Sequence, residues 1–136
     1  MGATQAQAQT INLIGTVINL CVLTVATPGS LAIASSGLEL STAHGGLPAS
    51  LTVVATGSNP TITFSTPSVS GPSSGGSTTE ISYSSPGGAN RAYDVAGYSY
   101  PMNRLLDTIT VNGRATNASG FRSGVYTVSA TATCSQ

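Results

Sequence analysis

Residues 49–64 read ASLTVVATGSNPTITF. Leu51, Val53 and Ala55 alternate with Thr52 and Val54, and Ile62 and Phe64 alternate with Thr61 and Thr63. In an extended chain successive side chains point to opposite faces, so a period of two marks each half as a strand with one buried face. Gly57, Ser58, Asn59 and Pro60 lie between the halves and are turn formers. The stretch predicts a hairpin that pairs Leu51, Val53 and Ala55 with Ile62 and Phe64.

The same grammar extends in both directions. In residues 123–134, SGVYTVSATATC, one face carries Val125, Thr127, Ser129, Thr131 and Thr133, and the other carries Tyr126, Val128, Ala130, Ala132 and Cys134. The second set is the inward one, which turns Cys134 toward the core. Further strands are predicted over residues 10–25, 30–34, 61–65, 79–84 and 104–115, with the last over 125–134. Residues 65–78 (STPSVSGPSSGGST) and 84–90 are dense in turn formers and predict exposed loops. No segment longer than about ten residues is free of Gly, Pro, β-branched residues and Ser/Thr clusters, so no helix is expected. About seven strands in a single domain indicate an all-β sandwich.

Composition bounds the function. The 136 residues hold four Arg, no Lys, four Asp or Glu and one His, for a net charge of 0, against 39 Ser and Thr and 16 Gly. A chain with so few cations has no basic stripe for phosphates or anionic lipid, which argues against nucleic acid and membrane surfaces as partners. Hydrophobic content of 40%, in short β-branched runs, argues against disorder. The longest apolar candidate, residues 11–25, is interrupted by Asn12, Thr16, Asn19 and Thr24, so no transmembrane segment is expected. Met1 to Gln9 lack a basic start and an apolar run; they look like the remainder beside a small-residue cleavage site, and the chain reads as a mature or near-mature secreted form.

Candidates for chemistry are sparse. The charged and titratable set is Glu39, Glu80, Asp94, Asp107, Arg91, Arg104, Arg114, Arg122 and His44. His44, inside STAHGGLP, reads as a solvated turn residue, and there is no GxSxG elbow, calcium loop or phosphate cradle. No enzyme, metal or cofactor is expected. A pair between Asp107 and Arg104 or Arg114 reads as a weak solvated contact, and Asn117-Ala118-Ser119 reads as an Asn-bearing turn rather than a glycosylation site. Tyr93, Tyr98 and Tyr100 crowd into RAYDVAGYSYPM, residues 91–102, as a wall of the core or, with Asp94 and Asn103, as a surface-recognition patch. Cys21 and Cys134 have no CxxC neighbour and too few companions for zinc, so they read as a disulfide, within one chain or between two. Within one chain it would staple the first strand to the last.

Residues 10–25 are too long for one strand of ordinary length: sixteen residues extend to about 50 Å. The chain therefore divides into an arm, residues 1–16, and a body, residues 17–136. Ile11, Leu13, Gly15 and Val17 share one face of the arm. An apolar arm of this kind has to be buried, in its own body or in a neighbour's groove.

The arm TINLIGTV, the cysteine just after it, the stretch ASLTVVATGSNPTITF and the terminal GVYTVSATATC resemble subunits of chaperone-usher pili, particularly the archaic branch and the related spore coat protein U family. The resemblance spans most of the chain. It implies an immunoglobulin-like β-sandwich that is incomplete and is completed by a donated N-terminal strand from a neighbouring subunit. Ile11, Leu13 and Val17 would then fill pockets, with Gly15 over a shallow one. It further implies a homopolymer exposed outside the cell as a pilus that supports adhesion or biofilm formation, assembled with a periplasmic chaperone and an outer-membrane usher. The sequence departs from the pattern in its cysteines, since many relatives bridge early strands to each other, and in ending Cys134, Ser135, Gln136 where family members commonly end in an aromatic residue. Two other readings stay open: a monomeric secreted adhesin that binds carbohydrate or a surface through the tyrosines, and a self-complemented sandwich whose arm folds back on its own sheet.

Overall fold

The computed structural model describes residues 6–136, and residues 1–5 of the predicted arm lie outside it. Among the described residues there is no helix, and so none long and apolar enough to cross a membrane. The strands in chain order are β1 (Leu20–Thr27), β2 (Ala32–Ile33), β3 (Glu39–Ser41), β4 (Ala49–Thr56), β5 (Thr61–Phe64), β6 (Ser68–Ser70), β7 (Thr78–Ser84), β8 (Asn90–Asp94), β9 (Tyr98–Pro101), β10 (Leu106–Thr116), β11 (Thr127–Ser129) and β12 (Ala132–Ser135).

The longest strand, β10, organises the larger sheet. Its first half pairs with β4 and its last residues with β3, while β7 pairs with it from Thr110 to Thr116. Beyond these, β1 pairs with β4, β2 with β3 and β8 with β7, all antiparallel. A second layer is built from β9–β5–β12, and the pair β6–β11 continues the line of β5 and β12. The two pairs are joined where Ser65 N donates to Thr131 O at 2.9 Å. The result is an all-β sandwich.

The turn at residues 57–60 does not make the predicted hairpin. β4 pairs with β1 and β10, and β5 with β12 and β9, so the chain crosses from one sheet to the other there. Leu51 and Val53 still meet Ile62 and Phe64, but face to face in the core. Alternation fixes which side chains point inward; it leaves open whether the two strands share an edge or a core, and both bury the same faces.

Other differences have equally local causes. The predicted loop over 65–78 contains β6, and β3, β8 and β9, three to five residues each, are too short for a period of two to announce them. The predicted strand over 125–134 is divided between β11 and β12, yet its parity survives: Tyr126, Val128, Ala130, Ala132 and Cys134 are the more buried set throughout. The regular first strand starts at Leu20, three residues after the predicted body boundary.

Leu51, Val53, Ile62, Phe64, Ile81, Tyr83, Tyr100, Met102 and Ile109 form the core. Phe64 stacks on Tyr83 at 4.1 Å between centroids, and Tyr83, Tyr98 and Tyr100 continue the stack at 5.3 and 5.7 Å. Offset stacking adds about 0.5 to 1.5 kcal/mol per pair beyond area burial, so few aromatics go a long way here.

Candidate functional site: a cleft beside an open strand edge

One side of the sandwich is closed by chain. After β8, the last strand of the first sheet, residues 95–97 cross to β9, the edge of the second layer. Gly97 sits so close to β5 that a Cβ there would lie 2.6 Å from Phe64 O, which makes glycine necessary at that crossing.

The opposite side is bounded by β1 in the first sheet and by β11 and β12 in the second. β11 pairs only with β6 and β12 only with β5, so the outer edge of this last strand has no partner among the described residues. Beside β11, and past the end of β1, the structure has a cleft of about 280 Å³. Its floor is Ile81 and Val111, and its walls include Leu31, Ala49, Tyr126 and Val128.

Apolar surface on the inner face of β1 is partly uncovered. In the β1–β4 ladder Cys21 lies opposite Ala55, Leu23 opposite Val53 and Val25 opposite Leu51, so all six share the inner face. Cys21 and Leu23 pack on the core, but Val25 is 63% exposed. The cover over the inner face therefore ends between Leu23 and Val25.

At the other end of β1 the edges are tied. Cys21 and Cys134 form a disulfide within one chain, 113 residues apart, with Cα atoms 6.4 Å apart. Gln136 Nε2 donates to the carbonyls of Thr56 and Ser58, both at 2.8 Å. The arm leaves at this tied end: Thr56 Oγ1 donates to Ile18 O at 2.7 Å, and Asn19 packs on Gly57. Before that point the described arm residues touch little of the body. Ile11, Leu13 and Val17 are 84%, 95% and 74% exposed, and nothing lies within 4 Å of the position a Cβ on Gly15 would take. The described arm residues, 6–17, are not folded back on their own sheet, as the self-complemented reading required.

The tyrosines do not form one surface. Tyr100 is buried and its hydroxyl donates to Asp107 Oδ2 at 2.9 Å, so it belongs to the core wall. Burial and the Asp107 carboxylate together hold its phenol well above the ordinary range. Tyr98 lies in the aromatic stack, its hydroxyl accepting from Asn90 N, and Arg91 sits over its ring. Tyr93 is half-buried beneath the Arg114 guanidinium, 4.2 Å from the ring centroid. Asp94, the other member of that patch, accepts from Ala96 N and pairs with Arg91 at 3.0 Å; these bonds lower its carboxyl pKa.

Asp107 is not the solvated partner of an arginine. It is buried and accepts from Ser85 Oγ, Gly87 N, Tyr100 Oη and Thr108 N, while Arg114 pairs instead with Glu80 at 3.1 Å. Four donors offset the cost of burying the carboxylate, and the loop over residues 85–88 is thereby fastened to β10. Sequence reading missed this cluster. Its only trace is the glycine pair Gly87-Gly88, needed because a Cβ at Gly87 would collide with the Asp107 carboxylate.

His44 is exposed at the tip of a tight turn with φ of 55°, followed by Gly45 at 99°, and lies 3.7 Å from Glu39. Asn117 does sit in a turn, with its Oδ1 accepting from Ser119 N, and its Nδ2 donates to Ser73 O, Gly75 O and Ser77 Oγ. Among the described residues no three His, Cys, Asp or Glu side chains converge as metal ligands.

Compared with protein-family models, with curated proteins and with solved structures, the chain matches none. The site is therefore read from geometry: an open cleft with an apolar floor at one end of the sandwich, and an exposed apolar arm leaving from the other.

Proposed function

We propose that this chain is the structural subunit of an extracellular fibre of the chaperone-usher kind, polymerising when the arm of one copy enters the cleft of the next. One observation carries the reading. Val25 faces inward and is uncovered, the outer edge of β11 and β12 is unpaired, and the described part of an alternating apolar arm of the same chain lies unpacked beyond the tied end.

Strand addition meets both needs at once. Backbone groups on the open edge gain partners, and each buried apolar side chain contributes about 1.5 to 3 kcal/mol. Donor and acceptor lie at opposite ends, so one copy cannot satisfy itself without turning its arm back along its full length. A contact between unlike surfaces with no closing rotation propagates as an open filament. Residues 1–16, continued by Val17, act as the donor, with Ile11, Leu13 and Val17 the side chains available for insertion and Gly15 crossing a shallow point. Before assembly an exposed cleft and arm are aggregation hazards, which is the physical need for a periplasmic chaperone and an outer-membrane usher. The assembled surface, neutral and rich in hydroxyls, serves adhesion or biofilm formation.

Negative-stain electron microscopy of the purified protein tests this. Filaments are expected from the full chain, and none from a chain carrying Leu13→Asp or lacking residues 1–16, each of which is expected to fold with a donor peptide. Filaments from the truncated chain would overturn the reading.

A further inference from the structure

The β1 and β12 edges are bridged at one end. At the Cys21 end the Cα atoms of Cys21 and Cys134 are 6.4 Å apart, and Gln136 spans the same gap through its bonds to Thr56 and Ser58. Stacked sheets normally lie about 10 Å apart, a distance set by the side chains interleaved between them. At the bridge, the two sulfurs fill that space. At the Val25 end nothing ties the edges, and the inner face is uncovered.

We propose that the Cys21–Cys134 disulfide is the end stop of the cleft: an added strand pairs with the β11 edge as far as about Ala130 and is prevented from continuing along β12. This rests on the reading of the cleft as a strand acceptor and specifies where that acceptor ends. The reason is the pleat. Every second side chain of a strand laid on β12 would point inward, and opposite Cys134 that position is already occupied by the bridge. β12 keeps an unpaired edge, but no room behind it.

The stop also limits how much of the arm is used. From Tyr126 to Ala130 the open edge offers about five residues, or roughly 17 Å, which admits two or three inward side chains. The arm stripe Ile11, Leu13, Gly15 and Val17 spans seven residues, about 23 Å. The stripe is longer than the accessible edge, so the bridge selects the register in which it stops.

The test is residue-resolved amide hydrogen exchange by NMR on the full chain carrying Leu13→Asp, which disables its own arm, with and without a synthetic peptide of residues 10–18. With the disulfide intact, the peptide is expected to slow exchange at least about tenfold at outward amides within residues 126–130 and to leave residues 132–135 unchanged. Slowed exchange through β12 in the oxidised protein overturns the end stop while leaving the acceptor reading in place. No slowed amide anywhere removes both. A second arm uses Cys21→Ala with Cys134→Ala: the protected stretch is expected to lengthen into β12, and an unchanged boundary would show that the bridge does not set it. The oxidised measurement stands alone if that double variant does not fold.

Discussion

Val25 lies directly opposite Leu51 in the β1–β4 ladder and on the same face of the sheet, yet Val25 is 63% exposed and Leu51 8%. Two neighbours that the pleat makes equivalent thus differ because the layer above the sheet covers one and stops short of the other. Their substitution costs separate accordingly. Leu51→Ala is expected to cost about 2 to 5 kcal/mol and Val25→Ala under about 1 kcal/mol in the isolated chain, read from denaturant midpoints. If a neighbour's arm covers Val25 as proposed, the ranking narrows in the fibre; equal losses in both states would argue against any cover.

The disulfide closes a loop over a separation of 113 residues. By the chain-entropy model, reduction should lower stability by about 4 to 5 kcal/mol, with strain making the observed loss smaller. Urea unfolding with and without reductant measures it, and an unchanged midpoint would mean that the reduced unfolded chain is already confined.

Asp107 ties three segments through Ser85, Gly87 and Tyr100. Tyr100→Phe removes one charge-assisted bond, at about 1.5 to 3 kcal/mol. Asp107→Ala leaves several buried donors without an acceptor and should cost at least about 3 kcal/mol. If the two variants were equally destabilised, the remaining donors would contribute nothing.

Burial pushes the Tyr83 phenol up to about 12, with the nearby Arg91 acting in the opposite direction, and Tyr100 shifts the same way. An unfolded tyrosine ionises near 10. Below that pH both states keep the proton, and stability is fully present. As the pH rises toward 12 the unfolded chain loses protons that the folded chain keeps, so stability falls, by on the order of 2 kcal/mol for Tyr83. Unfolding free energies measured across this alkaline window, alongside phenolate absorbance, check the sign.

Asn117 fastens residues 73–77 to the end of β10 through its side-chain amide. Asn117→Ala should cost about 1 to 3 kcal/mol and speed amide exchange around Ser73 to Ser77. A stable variant with unaltered exchange would show that the loop holds itself.

Much of this molecule was legible in the sequence because a strand writes its two faces into alternate residues. The parity of residues 125–134 placed Tyr126, Val128, Ala130, Ala132 and Cys134 inward even though the strand proved to be divided between β11 and β12. The same parity set Cys134 facing a partner near the first strand. It also set Leu51, Val53, Ile62 and Phe64 in the core. What alternation cannot carry is pairing. Whether residues 57–60 turn back along one sheet or cross between two is decided by what lies beside each strand, and those neighbours, β1, β10, β12 and β9, come from distant parts of the chain. The Asp107 cluster and the bonds of Gln136 to Thr56 and Ser58 are of the same kind, whereas the Cys21–Cys134 disulfide was legible in a chain with two cysteines and no companions for a metal. The cluster and the Gln136 bonds depend on distances between residues far apart in sequence, and only the packed sandwich fixes those.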